Sequence, residues 1–571
     1  MEKTSHDLLI LGAGIAGQRA AIEACKATNG KIDVALVSKV HPMRSHSVAA
    51  EGGTAAVLRP EEGDTCELHA WDTVKGSDFL ADQDAVDMFV RMLPEEILRV
   101  EHWGVPWTRD ANGRIEQRPF GGHSFPRAVY ALDKTGFFLM QTLYNTLQNY
   151  DNVTRYDEFF ATSIEVEEGA FSGITALEMA SGEIHSISAK ACIVATGGVG
   201  RLYNFTSYSH TSTGDGYALA YRAGVPLKDM EFLQFHPTGL MPSGILITEA
   251  SRGEGGYLLN SEDKRFLQNY APKMMELAPR DIISRAMITE IDQGRGIEGP
   301  EGIQCLKLDL RHVGRDRINE KIPFVRELSM KFLGIDPADE PIPVRPVMHY
   351  TMGGIDTDSY GATRIQGLWA AGEAACVSLH GANRLGTNSL AECLVYGRIA
   401  GQKAAGFAMS RRPHRPVSQE STAGIENRIY RDLLKREVGE SLYEIRRELR
   451  DIMDANFGIF RDLDHMEHAL KKIRQMKSRF KKIKITDTGR TYNTDLTSAL
   501  ELENMLDLAE IMLTGGIARK ESRGAHSRLD YPARDDQNWL KHTLAYSSKE
   551  GPRLDYSPVR ITIWKPTERR Y

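Results

Sequence analysis

The 571-residue sequence predicts an α/β protein. A parallel-sheet unit with glycine turns is interrupted by an insertion and followed by a helical domain. Three observations carry that prediction. A short apolar run, DLLIL (Asp7–Leu11), passes at once into Gly12-Ala13-Gly14-Ile15-Ala16-Gly17 and an alanine-rich stretch. A second apolar run, Ala189–Thr196, ends in Gly197-Gly198-Val199-Gly200. Residues from about Arg411 to Ser522 are dense in Lys, Arg, Asp and Glu at helical spacing, as a bundle with one solvated face would be.

In order, the chain opens strand, glycine turn, helix (QRAAIEACKATNG, with Gly30 placed to end it) and strand (Ile32–Val37). This is the context that the Rossmann-like dinucleotide fingerprint requires. The first glycine makes the turn, the second admits a pyrophosphate, and the third lets helix pack on strand; the helix N-terminus offers unpaired N–H groups to phosphate. The fingerprint also expects an acidic residue after the second strand, where this chain has Ser38-Lys39. Nicotinamide binding is therefore disfavoured, and a flavin dinucleotide stays open. Next comes RSHSVAAEGGTAAV (Arg44–Val57), a histidine ahead of a small-residue run that lets backbone approach something flat. Glu67–Met92 and Glu95–His102 read as helical, and Gly113–Gly122 as turn-rich. Thr213-Gly214-Asp215-Gly216 begins another helix, with Asp215 placed to cap it or reach a ligand. From about Leu240 to Val344 the pattern is irregular, which reads as a domain inserted into the nucleotide fold. The tail from Arg523, with Pro532, Pro552, Pro558 and Pro566, reads as mostly irregular.

Composition excludes several classes. A hydrophobic share of 41% and a charged share of 26% belong to a globular chain, and a net charge of −6 gives no basic footprint for nucleic acid. No apolar run approaches a bilayer span, and MEKTSHD runs straight into a strand, so no secretory leader is expected. The six cysteines lack any CxxC pair, which argues against a disulfide framework, a metal site or an iron–sulfur cluster held by this chain.

Four clusters lie in glycine-flanked turns where packing alone poorly explains them: Gln234–Gly239 (QFHPTG), Thr248–Gly256 (TEASRGEGG), Leu277–Asp281 (LAPRD), and His349–Gly354 (HYTMGG) with Ala370–Glu373 and His380–Leu390 beyond it. Arginine forks bind carboxylates in two-pronged fashion, so several such groups converging on one pocket suit a small dianion.

Taken together, RSHSVAAEGG, HPTGL, TEASRGEGG, LAPRD, HYTMGGI, AAGEAACVSLHGANRLGTNSL and RKESRGAHSRLD…RDDQNWLKHT resemble the flavoprotein subunit of succinate dehydrogenase and quinol:fumarate reductase, over nearly the whole chain. The resemblance implies a Rossmann-like FAD-binding domain (1–238 and 345–410), an inserted α+β capping domain (239–344), a C-terminal helical domain (411–522) and a small C-terminal segment (523–571). It implies FAD covalently attached through His46. Gly12, Ala13, Gly14, Ile15, Ala16, Gly17, Ser38, Lys39, Ser45, Ser47, Ala50, Glu51, Gly52, Gly53, Asp215, Glu373, Ser389 and Leu390 match FAD-contacting positions. His236, Thr248, His349 and Arg384 match the residues holding the two carboxylates, with Phe120 and Gly53 beside the substrate. Arg280 matches the proton donor or acceptor, supplied through Glu249 and Arg252. The reaction implied is hydride transfer between succinate or fumarate and the flavin, with electrons exchanged with quinone through an iron–sulfur subunit. A membrane anchor and a peripheral place on the cytoplasmic face of the bacterial inner membrane complete the picture.

The awkward element is Arg280, because a guanidinium is a poor base; as an acid in fumarate reduction it is easier to accept. L-aspartate oxidase shares the fold and several motifs but implies non-covalent FAD, and His46 and RDDQNWLKHT argue against it. Glu51 leans toward fumarate reductase, since succinate dehydrogenases often carry Gln there. An added negative charge beside the flavin would lower its potential, in the same sense.

Overall fold

The computed structural model describes residues 3–410 and 413–571. Its central sheet runs in the order Val153–Asp157, Val34–Ser38, Lys3–Leu11, Ile184–Val194, Ala170–Glu178, Phe159–Glu167. The first four strands are parallel, and the last two add as an antiparallel hairpin. Leu368–Ala370 pairs with Cys192–Val194 at the carboxyl end of Ile184–Val194. Leu8–Leu11 and Val34–Val37 are buried on both faces, as expected for parallel strands covered by helices.

The helix Ile15–Thr28 follows the glycine turn and ends on Asn29, which adopts φ 51, with Gly30 next at φ 69. The left-handed cap is thus Asn29, one residue before the glycine expected to supply it. This helix packs on Asn388–Ala408 with unusually close backbones. A Cβ on Gly397 would sit 2.7 Å from the Ala16 carbonyl oxygen, and one on Gly401 2.4 Å from that of Ala20. Two glycines four apart on one helix face therefore fix Ser389 and Leu390, at the start of the later helix, against the glycine turn.

Two local readings are corrected. The helices over 67–102 are Cys66–Gly76 and Gln83–His102, broken at Ser77–Asp82 rather than at Pro94. Asp78 and Phe79 both take positive φ there. Pro94 lies inside the second helix; it cannot donate to Val90, and the Cys66 thiol donates to that carbonyl instead, at 3.6 Å. The stretch 240–344 is also more ordered than expected. An antiparallel sheet runs Leu233–Leu240, Ile342–Thr351, Gln304–Asp309, Tyr257–Leu259, backed by Arg280–Glu290 and Pro323–Leu333. It encloses its own apolar core, including Leu258, Ile283, Leu306, Val325 and Val344.

Residues 413–522 contain the helices Gln419–Asn427, Leu442–Asn456, Leu463–Phe480 and Thr494–Ala518. Ile445, Leu449, Met453, Met466, Ile473 and Met476 face inward at helical spacing. Arg411 and Arg412, at the start of the expected helical domain, lie outside the described residues.

The tail from Arg523 is mostly irregular, as expected, but it contains one ordered hairpin. Lys541–Tyr546 and Arg553–Pro558 form a hairpin that joins Leu227–Lys228 and Gly354–Asp356 in a second sheet. Its buried His542 contacts Asp229 at 2.6 Å and Asp82 at 3.2 Å. Burial alone would lower its pKa, but the two carboxylates outweigh it and raise the imidazole to about 9. Because the folded value is raised from 6.5 to about 9, the contribution is full below pH 6.5 and is lost as pH rises through about 9. We expect urea titrations to show stability falling across that window by on the order of 3 kcal/mol. His542→Gln should remove the slope; a wild-type curve flat over the same window would refute the assignment.

Candidate functional site

A cavity of about 780 Å³ opens at the carboxyl ends of the parallel strands, where α/β sheets bind ligands. Its walls include Gly12–Ala16, Ser38, Lys39, Ser45–Glu51, Asp215, Glu373, Ser389 and Leu390. Gly12 adopts φ +103, and a Cβ there would meet the Ala195 carbonyl oxygen at 2.3 Å. On Gly17 a Cβ would lie 1.8 Å from the Gly12 carbonyl oxygen, so Gly17 serves helix–strand packing and does not line the cavity. The buried Glu51 Oε2 and Thr196 Oγ1 face this space without a protein partner. Glycines clearing the pyrophosphate approach, a cavity of this volume and orphaned polar atoms together fit a dinucleotide.

Lys39 and Asp215 form one wall. Lys39 Nζ lies 2.6 Å from Asp215 and 2.9 Å from Glu501. Burial would lower the lysine pKa, but these two carboxylates raise it. Asp215 does not cap its helix; its second oxygen accepts from Asn504 at 2.9 Å. Glu501 and Asn504 both lie on Thr494–Ala518, so the helical region braces this wall.

His46 begins a short turn, His46–Ala49. Its Nδ1 accepts the Ser209 backbone N–H at 3.3 Å, and its ring stacks on Tyr208 with centroids 4.8 Å apart. Burial and the nearby Arg201 lower its pKa to about 4, which keeps the ring neutral and nucleophilic at neutral pH. Burial, reinforced by Asp133, pushes the Glu51 carboxyl well above the usual range. It therefore holds a proton more readily than an exposed glutamate.

Beyond the His349 end of the cavity lies a second, polar cluster. Leu233–Leu240 pairs with Ile342–Thr351, which sets His236 beside His349, ring centroids 5.0 Å apart. The ladder is irregular between His236 and Gly239, around Pro237, and such a bulge re-aims side chains. His236 Nδ1 accepts the Thr238 N–H at 3.2 Å, so the neutral ring carries its proton on Nε2, which has no hydrogen-bond partner and lies 4.0 Å from Glu249. Burial and the surrounding arginines hold both histidines well below their ordinary pKa.

Arg280, first residue of Arg280–Glu290, donates to Glu249 at 2.7 Å and to Gln234 at 3.1 Å. Arg252 reaches the same Glu249 oxygen at 3.3 Å, and Gly121 N–H donates to the other at 2.6 Å. Burial raises the Glu249 pKa, but Arg280 and Arg252 outweigh it and hold it at about 2. Arg384 packs over Tyr350 at 4.5 Å, and burial with the repulsion of Arg280 lowers it to about 10. Its Nε is buried without a partner. Gln234 ties the halves together by donating to the Arg384 carbonyl at 2.7 Å. Phe120, Thr248 and Gly52 close one side: a Cβ on Gly52 would meet Phe120 at 2.9 Å and Thr248 at 3.6 Å. Gly53, at φ +125, lies against the Val129 carbonyl; like Gly52 it is outside the cavity lining.

Arg280 and Arg252 share one carboxylate, Glu249, and the buried Arg384 has no carboxylate in ion-pair contact, so positive charge is in excess in this cluster. Bringing that excess together is costly unless a dianion neutralises it. Sequence reasoning did not single out Arg118, which donates to the Gly52 carbonyl at 2.9 Å, nor Arg201 or Ser207–Ser209. Arg118 falls within the turn-rich Gly113–Gly122 and lies in the short strand Gln117–Arg118, whereas Arg201 and Ser207–Ser209 lie where no periodic signal marks them.

Fold and cavity define an FAD-binding flavoprotein. A family model described as an FAD binding domain matches residues 7–390, and one described as the fumarate reductase flavoprotein C-terminus matches 446–571. The chain belongs to the family of fumarate reductase and succinate dehydrogenase flavoprotein subunits. It is 49% identical over 583 residues to the fumarate reductase flavoprotein subunit of Mycobacterium tuberculosis (strain ATCC 25618 / H37Rv), covering 99% of both chains. It is 42% identical over 576 residues to the succinate dehydrogenase flavoprotein subunit of Rickettsia bellii (strain RML369-C), covering 97% of this chain and 95% of that one. Among solved structures, a variant of Escherichia coli quinol fumarate reductase superposes with a TM-score of 0.96 at 46% identity, covering 100% and 99%.

Proposed function

We propose that this chain interconverts succinate and fumarate at FAD bound covalently through His46. The observation that carries the reading is the excess of buried positive charge beside the dinucleotide cavity, matched in sign to a dicarboxylate. Arg384, His236 through Nε2–H, His349 and Thr248 hold the carboxylates. Clamping both ends fixes the reacting carbons and stabilises charge growing on one carboxylate. FAD, when bound, supplies or takes up the hydride. Arg280 delivers the proton to the other carbon in fumarate reduction. Glu249 stays ionised and aims the guanidinium, and Arg252 shares the same oxygen and completes the path for proton resupply.

Ser38, Lys39 and Asp215 serve the dinucleotide, with Gly12–Ala16 at its phosphates; Ser45, Ser47, Ala50, Glu51, Glu373, Ser389 and Leu390 border it. The proposed domain limits are 1–238 and 345–410 for the FAD-binding domain, 239–344 for the capping domain, 411–522 for the helical domain and 523–571 for the C-terminal segment. Electrons pass to an iron–sulfur subunit and a quinone pool, with a membrane anchor and a peripheral place on the cytoplasmic face. The quinol in the name of the matching Escherichia coli structure supports this. Among the described residues no helix is long and apolar enough to cross a membrane.

Fumarate reduction is the proposed working direction, supported by the greater identity to a fumarate reductase subunit (49%) than to a succinate dehydrogenase subunit (42%). Protein-film voltammetry with succinate and fumarate tests both points. We expect catalytic currents with each, the reductive one the larger. A strong bias toward succinate oxidation would overturn the direction, and no current with either would overturn the activity.

A further inference from the structure

Three consecutive loop residues touch three parts of the site. Ser207 Oγ lies 2.9 Å from His349 Nδ1. The Tyr208 hydroxyl donates to Glu373, while its ring stacks on His46 at an interplanar angle of 22°. The Ser209 backbone N–H donates to His46 Nδ1. This loop is strapped to the Ile342–Thr351 strand: Ser207 N–H donates to the Met348 carbonyl at 3.0 Å, and Met348 N–H to the Phe205 carbonyl at 3.2 Å.

Tyr208 is buried, and the chain has made room for it. A Cβ on Gly200 would lie 1.9 Å from the Tyr208 ring, and one on Gly198 2.8 Å from its hydroxyl. Neither the φ of Gly198 nor that of Gly200 is positive, so both glycines serve space and not backbone freedom. The GGVG run that reads in sequence as a second nucleotide turn is therefore, in part, a seat for this ring. Glu373 locks the ring in its plane, being itself held by the Thr351 N–H at 2.9 Å.

We infer that Tyr208 is a positioning residue for covalent flavin attachment, holding the His46 ring in the plane from which Nε2 reaches the cofactor. This rests on the covalent reading proposed above. Tyr208 restricts the ring's tilt, and the Ser209 N–H selects its rotation and tautomer. With Nδ1 accepting, the neutral ring carries its proton on Nε2, and a ring substituted at Nε2 keeps Nδ1 free to accept the same N–H. The held geometry thus suits the bonded ring, and in the unbonded ring Nε2 becomes nucleophilic only as its proton leaves to water. Joining Nε2 to a ring-methyl carbon of the flavin releases one proton from each and leaves two electrons on the cofactor. Fumarate takes up those electrons with two protons as it becomes succinate. Pre-orienting one partner in such a step contributes through lost rotational freedom that no longer has to be frozen out.

The test uses the full chain isolated from cells as wild type, His46→Ser, Tyr208→Leu and Tyr208→Phe. The readout is the flavin retained after acid precipitation, as a fraction of total flavin bound before it. Leucine fills the seat on Gly200 but cannot stack flat; phenylalanine restores the ring. We expect Tyr208→Leu to bind FAD yet lose covalent flavin by about tenfold, and Tyr208→Phe to recover to within about threefold of wild type. A Leu variant that matches wild type, or a Phe variant as poor as Leu, would overturn the inference. Wild type without covalent flavin, like His46→Ser, would instead overturn the covalent reading itself.

Discussion

Arg280→Lys is expected to lower fumarate turnover by about 10³-fold, within the range for losing a positioned general acid. The charge is kept, so the excess of positive charge that attracts the dicarboxylate survives. What is lost is the fork. Arg280 donates to Glu249 from one nitrogen and to Gln234 from another, and a lysine ammonium on a flexible stem cannot hold both directions. Steady-state assays with a reduced viologen donor should therefore show the loss in kcat, with KM for fumarate changed far less. A fall in kcat smaller than tenfold would show that proton delivery does not run through this residue. Arg384→Lys offers the contrast. That side chain holds a carboxylate in the proposed site, so its replacement should raise KM as well as lower kcat.

His46→Ser is the second large effect. The protein should retain FAD in its cavity, because the glycine turn, Lys39 and Asp215 are untouched, but release it on acid precipitation. An N–C bond to the flavin withdraws electron density and favours the reduced form. In a two-electron couple about 30 mV corresponds to a tenfold change in equilibrium, so even a modest fall in potential disfavours oxidising an unactivated C–C bond. Succinate oxidation should fall by well over tenfold, while fumarate reduction, which needs a stronger reductant, persists. Unchanged succinate oxidation in a variant shown to lack covalent flavin would contradict this role for the linkage.

What could be read from the sequence was local. Asp7–Gly17 announces its strand, turn and helix because the strand is uniformly apolar and the glycines have no other use. Arg280, Glu249, His236, His349 and Arg384 stand in short turn-rich motifs whose residue types have few structural explanations, and one strand pair brings His236 and His349 together. The missing parts depend on distant partners. Lys541–Tyr546 looks irregular until Leu227–Lys228 supplies its neighbour. Tyr208 looks like any loop tyrosine until Gly200 and Glu373 enclose it. Pro94 looks like a helix end until Cys66, on another helix, takes the freed Val90 carbonyl. Glu51 was legible as a residue but not in its charge state, which depends on burial and on Asp133 across the cavity. Even the two glycines of Asn388–Ala408 explain themselves only when the Ile15–Thr28 backbone lies against them.

The account stands on one spatial claim, that the buried Arg280–Arg384 cluster holds a dicarboxylate against the flavin cavity. A crystal structure of the FAD-loaded chain with fumarate tests it most directly. The expected result has one carboxylate on Arg384 and His349 and the other on His236 and Thr248, with Arg280 facing the double bond and His46 joined to the cofactor. Fumarate bound away from these side chains, with the arginines still unneutralised, would contradict it.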